Sequence, residues 1–368
     1  MHHHLRSFKT WLFAAALAWL ACTASWAHAA TITVRDLVGR NVTVPHNPQR
    51  IVGIGAGTLR LLVYMQAADR VVGVEDVEHN YLKGKPSKPY MTANPQLMQL
   101  PRVGPGGSNM TNKKPDYEDV LKAKPEVVFM TQMDPALADE VQKTLGIPVV
   151  ILSYGKTAGS FDEEIYSSLT LVGKILKREK RAQDLIAFIQ NTQADLRRRV
   201  AGQKPASAYV GAVSYNGAHG INGSAKSYIP FEWLGVHNLA KTAPGGKGSH
   251  VKLDKEALLA LNPEPIFMDA AGEHLVRQDL QANPHFYGAL RAFANRRVYR
   301  VYPYVWYITN IDVALLDAYA VGKVLYPKQF ADVDLPQKAD AIFTFMVGKP
   351  VYQEMRQGFG ALAEPVVF

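Results

Sequence analysis

Two copies of one pattern occur in the chain: KPDYEDVLKAKPEVVFM (114–130) and KLDKEALLALNPEPIFM (252–268). One constant offset aligns Lys114 with Lys252, Asp116 with Asp254, Glu118 with Glu256, Pro125 with Pro263 and Phe129 with Phe267. A pattern that recurs at this distance along a chain indicates two structural units of similar build.

Each copy predicts a short helix followed by a buried strand. Asp116 and Asp254 stand where a helix N-cap is expected, and acids in the first turn oppose the positive end of the helix dipole. Proline then ends each helix, and VVFM or PIFM is apolar enough for a buried strand. Helices that feed apolar strands are the elements of an α/β fold.

The rest of the chain fits around this pair. Strands are predicted at RIVGIG (50–55), RVVGV (70–74), IPVVIL (147–152), ASAYVGAV (206–213) and RRVYRVY (296–302). Between the two groups stand the helical stretches 161–176 and 178–200, and the second is long enough, at about 1.5 Å per residue, to bridge two lobes. We therefore predict an α/β fold with two Rossmann-like lobes and one long interlobe helix. The predicted divisions are a signal peptide (1–29), an N-terminal lobe (30–160), a helical linker (161–204) and a C-terminal lobe (205–368).

The first 29 residues are typical of a secretory signal peptide. Basic Arg6 and Lys9 precede the apolar run WLFAAALAWLAC (11–22), and Ala27 and Ala29 form a small-residue cleavage signal. We therefore expect a periplasmic protein. Lipid anchoring at Cys22 is the alternative, although residues 19–21 match such a signal poorly. Cys22 is the only cysteine, so the mature protein cannot depend on disulfides.

The charge balance is basic. The chain has a formal net charge of +9, and removal of Arg6 and Lys9 with the acid-free signal segment leaves +7. Such an excess attracts an anionic small molecule or keeps a protein soluble. Export argues against nucleic acid as a partner.

The sequence resembles the solute-binding proteins of ABC importers for iron–siderophores, haem and cobalamin, in which one long helix joins two α/β lobes. The resemblance rests on the order and spacing of five stretches: DLVGRNVTVPHNPQRIVGIGAG (36–57), ADRVVGV (68–74), PDYEDVLKAKPEVVFM (115–130), LDKEALLALNPEPIFMD (253–269) and residues 312–348. It implies a monomer with a ligand cleft between its lobes, which binds a solute there and delivers it to a membrane permease powered by an ATPase. No catalytic step and no permanently bound cofactor are implied.

Two loops of the first lobe are candidate ligand contacts, since ligands of α/β sheets bind beyond the carboxyl ends of the strands. Gly55, Gly57 and Thr58 follow the apolar part of a predicted strand and begin a helix, where free backbone N–H groups suit an oxyanion or a carboxylate. A plain tight turn is the alternative. The loop 104–114 contributes Gly106, Ser108 and Asn109. Glycines there allow close approach, and the polar side chains offer hydrogen bonds.

The second lobe offers two further candidate regions. The loop SYNGAHGINGSAKSYIP (214–230) contains Tyr215, Asn216, His219, Lys226 and Tyr228, and it is either a binding loop or an ordinary solvated loop. The stretch VYRVYPYVWYITNID (298–312) places Tyr304, Trp306 and Tyr307 after Pro303, where the strand is expected to end. We interpret these three aromatic residues as cleft lining, with interlobe packing as the alternative.

The resemblance also implies a surface acid that docks the permease, and we assign it to Glu232. The signatures of common hydrolases and nucleotide-binding enzymes are missing, so a secreted enzyme is the weaker interpretation. The expected ligand is a metal chelate, in the first instance an iron–siderophore, so that the transported solute contains iron or another metal. Molybdate or tungstate, haem and cobalamin are the alternatives, and which metal, if any, the side chains ligate stays open.

Overall fold

The computed structural model describes residues 30–79, 86–107, 112, 114–155, 161, 163–215, 217–242 and 250–368. The predicted signal segment, with Cys22, lies outside these residues. The described chain begins with an antiparallel hairpin of β1 (Thr31–Arg35) and β2 (Asn41–Pro45). None of the helices in the described ranges is both long and apolar enough to cross a bilayer.

The first lobe is built on a parallel sheet with the strand order β3-β4-β5, where β3 is Ile51–Ile54, β4 is Val127–Thr131 and β5 is Val149–Leu152. Every residue of these strands is buried, which explains their unbroken apolar character. Its helices are α1 (Thr58–Tyr64), α2 (Asp76–His79), α3 (Pro89–Ala93), α4 (Tyr117–Ala123) and α5 (Pro135–Leu145).

Two helices connect the lobes, α6 (Glu164–Leu176) and α7 (Glu179–Val200). The second has 22 residues and is therefore about 33 Å long. Its buried side chains include Ala182, Leu185, Ile189 and Leu196, which lie on the face that the apolar spacing predicts. The predicted long interlobe helix is confirmed almost to the residue.

The second lobe contains a parallel sheet with the order β11-β10-β6-β8 and a small antiparallel ribbon of β7 and β9. The strands are β6 (Ser207–Gly211), β7 (Gly223–Ala225), β8 (His237–Asn238), β9 (His250–Lys252), β10 (Ile266–Asp269) and β11 (Val298–Val301). The helices are α8 (Ile229–Trp233), α9 (Lys255–Leu261), α10 (Glu273–Ala282), α11 (Pro284–Ala289), α12 (Arg291–Ala294), α13 (Ile311–Leu325), α14 (Leu335–Val347) and α15 (Tyr352–Phe359).

The sequence repeat corresponds to a structural repeat. A carboxylate oxygen of Asp116 accepts the Asp119 N–H at 3.1 Å, and one of Asp254 accepts the Ala257 N–H at 2.6 Å. Lys124 and Asn262 end the two helices in the left-handed conformation, with φ of 49° and 38°. The strands that follow, β4 and β10, each lie between two parallel neighbours. The predicted α/β fold is confirmed.

The lobes are not independent packing units. One hydrophobic core runs from the first lobe through α7 and α13 into the second lobe, and it includes Phe129, Leu185 and Phe267. Helix α14 packs against α1 and α3 of the first lobe, although it belongs to the second lobe in chain order. The predicted lobe boundaries stay predictions, and large separation of the lobes would expose this shared core.

Candidate functional site

A short segment of the second lobe, residues 304–310, lies against the first lobe, and we call it the strap. It leaves β11 through Pro303 and leads into α13, while Val305 and Thr309 face each other in an antiparallel bridge. Between them, Tyr307 and Ile308 have φ of 48° and 65°. The left-handed region is unfavourable for a β-branched residue, and such strained backbone concentrates at functional sites.

Arg60 of α1, in the first lobe, donates hydrogen bonds to the strap. Its side chain is fully buried and donates hydrogen bonds to the carbonyl oxygens of Trp306 at 2.8 Å, Thr309 at 2.9 Å and Tyr307 at 3.2 Å. The rings of Tyr90 and Tyr154 flank its guanidinium. Its Nε has no hydrogen-bond partner among the described residues. A buried cation with an unused N–H is costly unless an acceptor reaches it.

Glu75 is the acid that lies beside the strap. It is 2 % exposed, and its Oε2 accepts the Tyr307 hydroxyl at 2.8 Å and the Gly55 N–H at 3.1 Å. Its Oε1 has no partner within the part of the chain that the structure describes. Burial raises the pKa of Glu75 to about 8, against the opposing effect of the Tyr307 hydrogen bond.

Lys88 adds a second buried cation. Its Nζ lies 3.1 Å from Glu78 Oε2, and Glu78 also accepts the Tyr90 hydroxyl at 2.6 Å. Burial lowers the pKa of Lys88, while Glu78 opposes that effect. The ammonium lies 6.0 Å from the centre of the Trp306 ring. The indole Nε1 of Trp306 is buried and has no partner among the described residues.

These contacts join the two lobes into one site. Tyr307 contacts both Arg60 and Glu75, and Trp306 contacts both Arg60 and Lys88. We call Arg60, Glu75, Lys88, Trp306 and Tyr307 the interlobe cluster. It combines two cations, two unused N–H donors and one carboxyl oxygen without a partner, so it can bind a small polar group that is rich in acceptors.

The predicted glycine-rich residues of the first lobe lie at the edge of the interlobe cluster. Gly55 donates to Glu75, and Gly106 packs against the Glu75 side chain. Gly57, with φ of 82°, lies against Tyr154 and the strap residue Ile308. Thr58 is fully buried, and its hydroxyl donates to the Ile54 carbonyl at 2.8 Å. Ser108 and Asn109, which belong to the same prediction, lie outside the described residues.

The three predicted strap aromatics divide into two kinds. Tyr304 is 3 % exposed, its ring meets that of Tyr228 edge-on at 5.4 Å, and the Ile229 backbone bonds its hydroxyl. Tyr228 is buried as well. Trp306 and Tyr307 are half-buried members of the interlobe cluster. The contacts of Tyr304 and Tyr228 therefore lie within the second lobe, and a ligand-binding role for any of these residues stays a prediction.

The predicted loop after β6 forms a separate group. Tyr215 is 42 % exposed, and its ring stacks on that of His250 at 3.9 Å. His219 Nε2 lies 2.8 Å from the Tyr215 carbonyl oxygen, and Lys226 is half-buried ahead of α8. Burial lowers the pKa of His250 to about 4, with a smaller contribution from His219. Asn216 lies outside the described residues.

Glu232 is an exposed acid on α8, and its carboxylate accepts the Ser227 hydroxyl at 2.7 Å. The described residues bring no three His, Cys, Asp or Glu side chains together as a set of metal ligands. The surface position of Glu232 agrees with what a docking residue requires, but its role stays a prediction.

The sequence reasoning missed Arg60, Glu75 and Lys88. Arg60 is the one charged residue in TLRLLVYM (58–65), a run in which every residue is buried. Glu75 directly follows the predicted strand RVVGV (70–74), where the sheet-edge rule places ligand contacts. Both signals were present in the sequence, whereas nothing around Lys88 distinguishes it from a surface lysine.

Residues 51–305, well over half of the chain, match the family described as periplasmic binding protein. The chain therefore belongs to the periplasmic binding protein family. This confirms the resemblance of the sequence to solute-binding proteins of the two-lobe, long-helix type.

Three comparisons illustrate the relationship. The molybdate-binding protein MolA of Haemophilus influenzae is 26% identical over 341 residues, which cover 87% of this chain and 92% of MolA. A periplasmic solute binding protein from Veillonella parvula is similar in structure, with a TM-score of 0.69 and 22% identity over 90% of this chain and 97% of that chain. The structure of MolA bound to molybdate gives a TM-score of 0.65 at 20% identity, over 87% of this chain and 98% of that chain.

Proposed function

We propose that the protein is the solute-binding component of an ABC importer. It captures a small anionic solute between its lobes and delivers it to a permease and ATPase at the inner membrane. Family membership and the interlobe cluster support this function. The proposal includes a mature periplasmic monomer that has lost residues 1–29, with lipid anchoring at Cys22 as the alternative. It includes no catalytic step, no permanently bound cofactor and no nucleic acid.

The solute that the interlobe cluster suits best is a tetrahedral oxyanion of the molybdate and tungstate class. The observation that carries this choice is the pair of unused buried donors, Arg60 Nε and Trp306 Nε1. A buried donor without a partner costs roughly 1–3 kcal/mol, and an oxyanion offers several acceptors that can satisfy such donors.

Charge supports the same choice. Arg60 bonds carbonyl oxygens and a tyrosine hydroxyl, so its positive charge is not cancelled by a hydrogen-bonded carboxylate. Lys88 lies close by but is paired with Glu78 at 3.1 Å, so the attraction for an anion, which low dielectric strengthens, comes chiefly from Arg60. The relationship to MolA, whose name states that it binds molybdate, points in the same direction.

A metal chelate, in the first instance an iron–siderophore, is the second candidate. Tyr215 favours it, because this tyrosine exposes a large aromatic surface that stacks on His250, next to His219. Such a surface suits a broad ligand with an apolar rim. In this case the loop after β6 would carry the binding, and the transported ligand would contain iron or another metal.

Glu232 is proposed as a permease-docking residue. Its carboxylate is exposed on α8 and keeps its orientation through the Ser227 hydroxyl. An exposed acid on a short, packed helix can pair with a basic residue of a permease.

A thermal-unfolding panel on the mature protein tests the proposed ligand. Molybdate and tungstate should each raise the unfolding midpoint, because a ligand at a hundred times its dissociation constant adds about 2.7 kcal/mol to the free energy of unfolding. Sulfate and phosphate at equal ionic strength control for general salt effects. A rise with only a ferric siderophore, haem or cobalamin would replace the oxyanion by that ligand class.

A further inference from the structure

Glu75 is an acidic side chain in a site that is proposed to bind an anion, so its charge would oppose binding. It lies at the junction of the lobes, with Oε2 engaged by Gly55 and Tyr307 and with Oε1 unpartnered among the described residues. The charged and titratable groups that face it are the Tyr307 hydroxyl from the strap, Glu78 from α2 and Lys88 from the segment before α3. The Gly55 N–H faces it from the end of β3, and Gly106 packs against its side chain.

A fully ionised oxyanion carries only acceptors, and an ionised carboxylate also carries only acceptors. When the two meet in a buried site, their lone pairs and charges repel each other, with no water to screen them. A protonated carboxylic acid differs, because it has one O–H donor. The same carboxyl group therefore opposes an oxyanion in one protonation state and binds it in the other.

We propose that Glu75 binds the ligand as a neutral carboxylic acid that donates a hydrogen bond from Oε1 to an oxygen of the oxyanion. Capture of a fully ionised oxyanion is then coupled to the protonation of Glu75. This inference rests on the proposed oxyanion function. No bond other than the hydrogen bond forms, and the proton comes from solvent whenever Glu75 is ionised in the free protein.

The surroundings favour the neutral form near neutral pH. Burial raises the pKa of Glu75 to about 8, and the charge of Glu78 acts in the same direction. The Tyr307 hydrogen bond, the Gly55 N–H and the Lys88 charge all oppose this rise and are outweighed by burial. Below this pH the acid is ready to donate, and above it the free protein must take up a proton to bind.

Calorimetric titration with molybdate across about pH 6 to 10 measures this coupling. The dissociation constant should be constant below about pH 7 and rise towards tenfold per pH unit above about pH 8. Glu75→Gln should lose this decline in affinity, because glutamine still accepts from Gly55 and Tyr307 and offers an N–H in place of the O–H. Glu354→Gln, which removes an exposed acid on α15, should keep the wild-type profile.

A decline of the same size and midpoint in Glu75→Gln, or no decline in the wild type, would overturn the coupling. A second measurement needs no ligand. The carboxyl carbon resonance of Glu75, assigned by its loss in Glu75→Gln, should titrate near pH 8. A midpoint near the ordinary glutamate value of about 4.3 would overturn the proposed role of Glu75 and leave the proposed oxyanion function standing. No binding of molybdate or tungstate in either protein, with a midpoint near pH 8, would instead overturn the proposed oxyanion and the coupling to it.

Discussion

Replacement of Arg60 by leucine is expected to abolish the rise in unfolding midpoint that molybdate or tungstate gives, and to lower the free energy of unfolding by about 3 kcal/mol. Three strap carbonyls, those of Trp306, Tyr307 and Thr309, lose the Arg60 donor in this variant, and the Trp306 carbonyl keeps only the Asn310 side-chain amide at 3.2 Å. Each buried acceptor left without a partner costs roughly 1–3 kcal/mol, and removal of a buried charge offsets part of the sum. The strap then loses the contact that orients Trp306 and Tyr307 towards the ligand.

Arg181→Leu is the matched control for this variant. Arg181 of α7 also ties elements together by donating to carbonyl oxygens, those of Tyr64 at 2.8 Å and Phe345 at 2.6 Å, but it does not contact the strap. We expect this variant to lose stability on a similar scale and to keep the ligand-induced rise. Equal loss of the ligand effect in both variants would mean that Arg60 acts through general stability alone.

Gly57→Ala is expected to destabilise the protein by about 2 to 4 kcal/mol and to weaken ligand binding. A Cβ at this position would lie 2.6 Å from the Tyr154 ring and 2.8 Å from the Ile308 side chain, at a φ of 82°. Neither neighbour is the free end of a flexible chain, because the ring is buried and Ile308 lies in the strained strap. The methyl group therefore acts as a wedge that moves the strap away from the first lobe.

Gly202→Ala is the control that distinguishes the steric effect of the new methyl group in Gly57→Ala from the cost of its left-handed backbone. Gly202 has φ of 75°, and a Cβ there would meet no atom within 4 Å. The free energy of unfolding of this variant should fall only by the cost of an alanine in the left-handed conformation, about 1 to 2 kcal/mol, and the variant should bind ligand normally. Denaturant unfolding and the ligand-induced rise in midpoint measure both quantities. If Gly57→Ala matched Gly202→Ala in both, close packing of the strap would not matter for binding.

Much of the fold could be predicted from local patterns. The aligned copies that begin at Lys114 and Lys252 predicted helix–strand units, and both N-caps and both central strands are present. The long helix was predictable because its apolar spacing continues from Ala182 to Leu196 without a break. These features depend on residues that are close in sequence, where spacing and capping are informative.

Contacts between distant segments were not predictable in the same way. The return of α14 onto α1 and α3 has no signature in its own sequence, which would suit any buried helix. Tyr304 and Trp306 are two residues apart, yet one packs against Tyr228 inside the second lobe and the other joins the interlobe cluster. The backbone reversal at Tyr307 and Ile308 separates their roles, and a left-handed isoleucine is a conformation that sequence patterns argue against.

The candidate site could be predicted only where its residues follow predicted strands. Trp306 and Tyr307 belong to the interlobe cluster, and Gly55 and Gly106 lie beside it. Gly55 and the strap follow β3 and β11, where the sheet-edge rule places ligand contacts. Arg60 was missed because a lone arginine in an apolar helix resembles a residue whose head reaches solvent. Only the tertiary structure shows that its guanidinium reaches carbonyls of the opposite lobe.

The most direct test of the interlobe cluster as the ligand site is a crystal structure of the protein with tungstate, located by the anomalous scattering of tungsten. We expect one strong peak between the lobes, with tungstate oxygens within hydrogen-bonding distance of Arg60 Nε, Trp306 Nε1 and Glu75 Oε1. A peak beside Tyr215 and His219 would contradict this placement and favour the loop after β6. Peaks only at surface lysines would mean that the interlobe cluster is interlobe packing and not a binding site.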